Sequence, residues 1–173
     1  MTNKHRAIVA EIPHLRRYAH ALIGDPALAD DMVQSCLDRA LRKLHLWREG
    51  TNFRAWLITI LRNTYVSHLR HVGRHPEESP CGMDPDLAAA TPPMQGQEMA
   101  IQDIGRALEQ LRDDQREVVL LVGLEELSYK DTAEVLGIPV GTVMSRLSRG
   151  RENLRRIMHG GGGDAKPSLR RVK

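Results

Sequence analysis

The chain has 173 residues, room for one ordinary domain or two small ones, with 27% charged and only 3% aromatic residues. Abundant Leu, Ala, Arg, Glu and Gln with little β-type alternation point to an all-α fold. The lack of an apolar run of about 18 residues argues against membrane insertion, and the lack of a signal-peptide core points to a cytoplasmic protein. Two cysteines, Cys36 and Cys81, argue against a disulfide framework and for reduced thiols. The net charge of +3 conceals +6 over residues 1–74, −4 over 75–97, −2 over 98–159 and +3 over 160–173. This asymmetry predicts two small helical domains, 1–74 and 98–159, joined by a flexible acidic linker and followed by a basic tail.

In chain order, Ile8, Ile12, Leu15, Ala19 and Leu22 recur at helical spacing and predict a first helix over 6–23. Gly24-Asp25-Pro26 ends it and starts a second, with Asp25 as N-cap and Pro26 in the first turn. That helix runs to about Leu44 and buries Ala29, Val33, Cys36, Ala40 and Leu44. Asp30, Asp31 and Gln34 gather near its start, and Arg39, Arg42 and Lys43 near its end. Helix-dipole complementarity accounts for the charges, and an exposed Gln34 needs no special reason.

The polar loop after Trp47, with Arg48, Glu49, Gly50, Thr51 and Asn52, offers hydrogen bonds to an extruded base. A third helix over 53–71 turns Phe53, Trp56, Leu57, Ile60, Leu61 and Thr64 inward. Asn63, Ser67, Arg70 and Arg74 follow at intervals of four, three and four on its other side, a stripe that suits either nucleic acid or solvent. Residues 75–97 hold five of the nine prolines and neither Lys nor Arg, which predicts an extended linker. The glycine-rich, then basic, tail 160–173 predicts disorder.

The most specific segment is 127–157. Ser128 with Asp131 three residues on marks a helix start, Gly137 a tight C-terminal turn, and Val143, Leu147, Gly150, Leu154 and Ile157 one buried helical face. Ala133, Gly137 and Val143 stand where two steeply crossed helices need a close contact, a sharp turn and a core plug, so the segment reads as a helix-turn-helix. The outer face of its second helix carries Arg146, Arg149, Arg151, Arg155 and Arg156 against the single acid Glu152, a face for phosphates and guanine edges. An antiparallel helix pair with a solvated arginine face is the plainer alternative. His68, His71, His75 and Cys81 are the one foothold for a metal, at a spacing unlike structural zinc sites. No phosphate loop, nucleophile elbow or paired catalytic carboxylates stand out, so no cofactor and no enzymatic activity are expected.

Taken together, DDMVQSCLDRAL, GTNFRAWLITILRNTYVSHLR, the proline-rich linker, and LEQLRDDQREVVLLVGLEELSYKDTAEVLGIPVGTVMSRLSRGRENL resemble the extracytoplasmic-function class of bacterial RNA polymerase sigma factors, over most of residues 8–158. Their wording is similar to the alphaproteobacterial general-stress-response subgroup. The resemblance implies a first domain that binds the β′ clamp helices of core RNA polymerase and opens the −10 promoter element. It implies a second domain that binds the β flap and reads the −35 element. The linker would thread toward the active-site and RNA-exit channel, and an anti-sigma protein would hold the factor inactive.

On this chain the clamp contact falls on Asp31 and Gln34 with Asp30 beside them. The −10 contacts fall on Arg48, Glu49, Gly50, Thr51 and Asn52, then Arg54, Asn63, Ser67 and Arg70. The −35 contacts fall on Gly141, Thr142, Ser145, Arg146 and Arg149. Two departures stand out. Ser35 and Leu37 replace the Glu and aromatic frequent in the family, and Met144 replaces a basic residue, which removes one phosphate or base contact. The competing expectation is a one-component regulator that binds operator DNA through 98–158, with 1–74 as a sensor or dimerisation unit.

Overall fold

A computed structural model describes residues 3–74 and 97–159; the tail and all of the linker but Gln97 lie outside the described residues. Among the described residues every element is helical. In order they are α1 (Asn3–Ile23), α2 (Pro26–Lys43), a 3₁₀ turn (Leu44–Leu46), α3 (Phe53–Arg74), α4 (Gln97–Glu109), α5 (Asp113–Val119), a π turn (Leu120–Leu124), α6 (Tyr129–Leu136) and α7 (Val140–Met158). The first group packs α2 between α1 and α3, and the second packs α4, α5 and α6 on α7.

Local chemistry sets the helix boundaries. The Asp25 carboxylate accepts from Leu28 N–H at 3.1 Å with Pro26 at the first helical position. Asn52 Oδ1 accepts from Ala55 N–H at 3.1 Å and so caps α3. Ser128 Oγ accepts from Asp131 N–H at 3.0 Å and caps α6, and Gly137 ends that helix with φ +65°, the left-handed turn its lack of a Cβ allows. Ser128→Ala is expected to cost about 1 kcal/mol, read as a lower urea midpoint at unchanged slope.

The apolar faces meet in one cluster that runs through both groups, from Leu15, Tyr18, Leu57, Ile58 and Leu61 to Val118, Leu121, Val143 and Leu147. Every residue assigned from sequence to the α2 core stripe is buried. Tyr18 and Ile58, which periodicity passed over, are fully buried as well.

The π turn is the irregular element. Glu125 N–H reaches back to Leu120 O and Leu127 N–H to Leu121 O, each at 3.0 Å, and Glu126 takes φ +54°. The widened turn drops the Glu125 side chain into the seam between the groups, where it is fully buried. Across that seam Arg17 donates to Glu125 Oε1 from Nε at 3.2 Å and Nη2 at 3.1 Å, and from Nη2 to Leu124 O at 2.9 Å. His14 Nδ1 lies 3.4 Å from Glu125 Oε2. Arg62 grips Glu117 with Nε and Nη2 at 3.0 and 3.2 Å.

Candidate nucleic-acid and polymerase interfaces

Three surfaces carry the polar residues singled out in the sequence. On α2, the buried stripe of Ala29, Met32, Val33, Cys36 and Ala40 turns Asp31 and Gln34 outward to solvent. Asp30 is half-buried, with its carboxylate held by Arg16 at 3.2 Å and His20 at 3.3 Å. The three residues therefore differ: two are open for a partner, and the third is engaged within the fold. Cys36 is a structural thiol on the inner side, pushed up to about 12 by burial and donating to Leu57 O at 3.5 Å.

The second surface is the loop before α3. Trp47 stands edge-on to Phe53 at 4.9 Å, Phe53 stacks on Trp56 at 5.7 Å, and the Lys4 ammonium lies 5.6 Å over the Trp47 ring. On this aromatic base the loop turns at Gly50, φ +89°, with Thr51 Oγ1 donating to Arg48 O at 2.7 Å. Arg48, Glu49, Gly50, Thr51 and Asn52 are exposed, and Glu49 pairs with Lys4 at 3.1 Å. Arg54 is placed differently: it is half-buried and donates to Glu11 at 2.7 Å, with its Nη2 3.0 Å from His14 Nε2, which ties α3 to α1. Asn63, Ser67 and Arg70 share the exposed side of α3, where Ser67 Oγ returns its hydrogen to Asn63 O at 2.7 Å.

The loop borders a cleft of about 480 Å³ whose far wall is α6. Trp47, Arg48, Thr51 and Asn52 face Lys130, Asp131 and Glu134 across it. Asn52 Nδ2 donates to Asp131 Oδ2 at 3.0 Å, so its amide bridges a helix cap and the opposite group. Nearby, burial raises the Glu125 carboxyl above its ordinary value, and Arg17, then His14 and Arg54, act against that rise. Burial also raises the Tyr18 phenol, with Glu117 adding to the effect.

The third surface is α7. Val143, Leu147 and Gly150 are buried, whereas Leu154 and Ile157 are half-buried. Gly141, Ser145 and Arg149 are exposed; Thr142 is partly covered and accepts from Ser145 Oγ at 3.0 Å. Arg146 is drawn to Asp114 at the start of α5, 3.4 Å away, and Arg155 to Glu152 at 3.3 Å. Met144 projects from this helix with 52% exposure. The metal foothold does not assemble among the described residues, which contain no group of three metal-ligating side chains; His75 and Cys81 lie outside them.

Periodicity located the three surfaces but not the seam residues His14, Arg17, Arg62, Glu117 and Glu125, which are paired over 55 to 111 positions along the chain. Their only signal was a charge near an apolar stripe. No helix among the described residues is long and apolar enough to cross a membrane.

Comparison with known proteins matches residues 101–154 to the family model "Sigma-70, region 4" and residues 8–62 to "Sigma2 domain of PhyR". The ECF RNA polymerase sigma factor EcfG of Rhodopseudomonas palustris (strain TIE-1) is 38% identical over 152 residues, 88% of this chain and 83% of that protein. The ECF RNA polymerase sigma factor SigC of Mycobacterium tuberculosis is 34% identical over 134 residues, 78% of this chain and 72% of that protein. Among solved structures, the sigma factor RpoE of Bartonella quintana, in complex with the anti-sigma factor NepR, superposes with a TM-score of 0.80 at 34% identity, covering 92% of this chain and 98% of that one. These matches support the general-stress-response subgroup to which the motifs pointed. The chain belongs to the extracytoplasmic-function family of RNA polymerase sigma factors.

Proposed function

We propose that this protein is a dissociable, non-catalytic subunit that acts in the cytoplasm and gives core RNA polymerase its promoter choice. Asp31 and Gln34 dock on the β′ clamp helices, with Asp30 holding the adjacent turn of α2. Residues 48–52 capture unstacked bases of the −10 element while Asn63, Ser67 and Arg70 follow the strand. Gly141, Thr142, Ser145, Arg146 and Arg149 read the −35 element. Arg54 contributes by anchoring α3 to α1, the role its contacts with Glu11 and His14 support. Extruding a base costs a few kcal/mol, which contacts in the loop offset.

The observation that carries this reading is the coexistence on one chain of an exposed α2 acid-amide pair, an exposed polar loop and a helix-turn-helix. A regulator that binds operators through its helix-turn-helix alone leaves the first two without a task. The test is transcription in vitro with core polymerase on fragmented genomic DNA. Defined transcripts should appear only when the protein is added; tight operator binding without core, and no new transcripts, would overturn the proposal.

An anti-sigma partner fits the acidic and apolar surface of residues 28–37, the same surface proposed to meet the clamp. Met144 bears on specificity. Met144→Arg is expected to strengthen holoenzyme binding to −35 duplex about tenfold at low salt and to steepen the log–log salt slope by about 1, as one added phosphate contact does. Titrations at several salt concentrations check both quantities.

A further inference from the structure

The first turn of α5 holds the recognition helix at two points. Gln115 Oε1 accepts from Asn153 Nδ2 at 2.8 Å, and the Asp114 carboxylate stands 3.4 Å from Arg146 Nε. Arg146 and Asn153 lie on one side of α7, with Gly150 between them packed close against Gln115. The backbone that carries Arg146 is therefore fixed against α5. The carboxylate is fixed as well: Asp114 Oδ2 faces Arg146 while Oδ1 lies 3.5 Å from Arg112 Nε. Because Asp114 takes the Nε side of the guanidinium, Nη1 and Nη2 at its tip have no partner among the described residues. Both side chains are about one-third exposed, at 32% and 34%, so this tip opens to solvent rather than into the core. Arg149, nearly a turn further on, is exposed and has no ion pair among the described residues.

The two arginines differ in what they can recognise. A freely rotating guanidinium suits phosphate, whose charge attracts it from many directions. Reading a base edge is stricter, since two donors must meet N7 and O6 of one guanine in a single orientation. A carboxylate beside an arginine serves that stricter task in two ways. It restricts the side chain to one orientation, and its charge repels phosphate while leaving a neutral base edge unaffected. We propose that Asp114 is a specificity-determining residue that touches no DNA itself: it positions Arg146 so that Nη1 and Nη2 meet a guanine edge in the −35 duplex. The assignment rests on the −35 reading of α7 and deepens it. Arg149, which nothing holds, adds affinity that falls with salt.

The test is selection by full-length protein bound to core polymerase from a duplex pool randomised over one helical turn, about 10 bp. Wild type should show a guanine preference that Arg146→Ala abolishes. Asp114→Asn should cut the same preference about tenfold, the scale of one bidentate base contact. Its affinity for the unselected pool should hold or rise, since a negative charge near phosphates is removed. Asp114→Glu keeps the carboxylate and should restore most of the preference.

Asp113→Asn removes equal charge from the neighbouring position, where the carboxylate is exposed and paired with Arg116, and should leave the preference unchanged. Parallel loss of selected and unselected binding in Asp114→Asn, the result of a merely structural role, would overturn the proposal. A guanine preference that survives Arg146→Ala or Asp114→Asn overturns the positioning role alone. If the wild-type complex selects no sequence at all, the −35 reading fails and the positioning role falls with it.

Discussion

Replacing Asp31 and Gln34 together by alanine is expected to lower promoter-dependent transcription by core polymerase by about a hundredfold, with unfolding free energy unchanged to within about 0.5 kcal/mol. Both side chains are exposed and make no hydrogen bond or ion pair among the described residues, so their removal leaves the fold intact. At an interface each loses a polar contact worth about 1–3 kcal/mol, and two such losses make the expected factor. Asp30→Ala is the informative contrast. Its carboxylate already holds Arg16 and His20, so it should act more weakly on core binding and more on α1–α2 packing. Fluorescence titration of labelled protein with core polymerase separates the two effects. Unchanged affinity in the double variant would remove the clamp assignment.

The second large effect lies at Gly150, on the buried side of the recognition helix. A Cβ there would stand 2.7 Å from Val119 Cγ2 and 3.4 Å from both Gln115 Cβ and Gln115 O, against α5. Val119 is branched at Cβ and cannot swing away as a long side chain can. Gly150→Ala gains roughly 0.5–1 kcal/mol of helix propensity but is overpacked by about 1–3 kcal/mol, for a net loss near 1 kcal/mol. Gly150→Val adds two more carbons to the same contact and is expected to exceed 3 kcal/mol, enough to loosen α7 from α5 and abolish −35 binding. Urea unfolding and duplex binding check the order glycine, alanine, valine; a valine variant of native stability would refute the close packing.

What the sequence disclosed divides along a physical line. Helix ends written by one residue, such as Asp25, Ser128 and Gly137, fall where they were expected, because a cap is a local event. The α2 core stripe and the first three positions of the α7 stripe are buried as their spacing implied. Tyr18 was passed over although it lies three residues after Leu15 and one turn before Leu22, since a phenol is an ambiguous core signal.

The side-chain partners of Arg54 and Arg146 were beyond reach. An arginine on a polar face looks the same in the sequence whether or not an acid of the same chain, such as Glu11 or Asp114, lies beside it. The π turn was equally hidden, because Leu120 to Leu124 is an apolar run in which one extra residue per turn leaves no mark.

That turn constrains how the chain can change. Its surplus residue sets the direction in which the chain and Glu125 leave the helix, since each position in an α-helix advances about 100° around the axis. Deleting Gly123 would let the backbone relax into regular α-helix with its local bonding satisfied, yet would swing Glu125 by about that angle, out of reach of Arg17. The segment is one in which length is fixed more strictly than residue type: substitutions can accumulate along it, whereas a single insertion or deletion would break the Arg17–Glu125 contact that ties the two groups together.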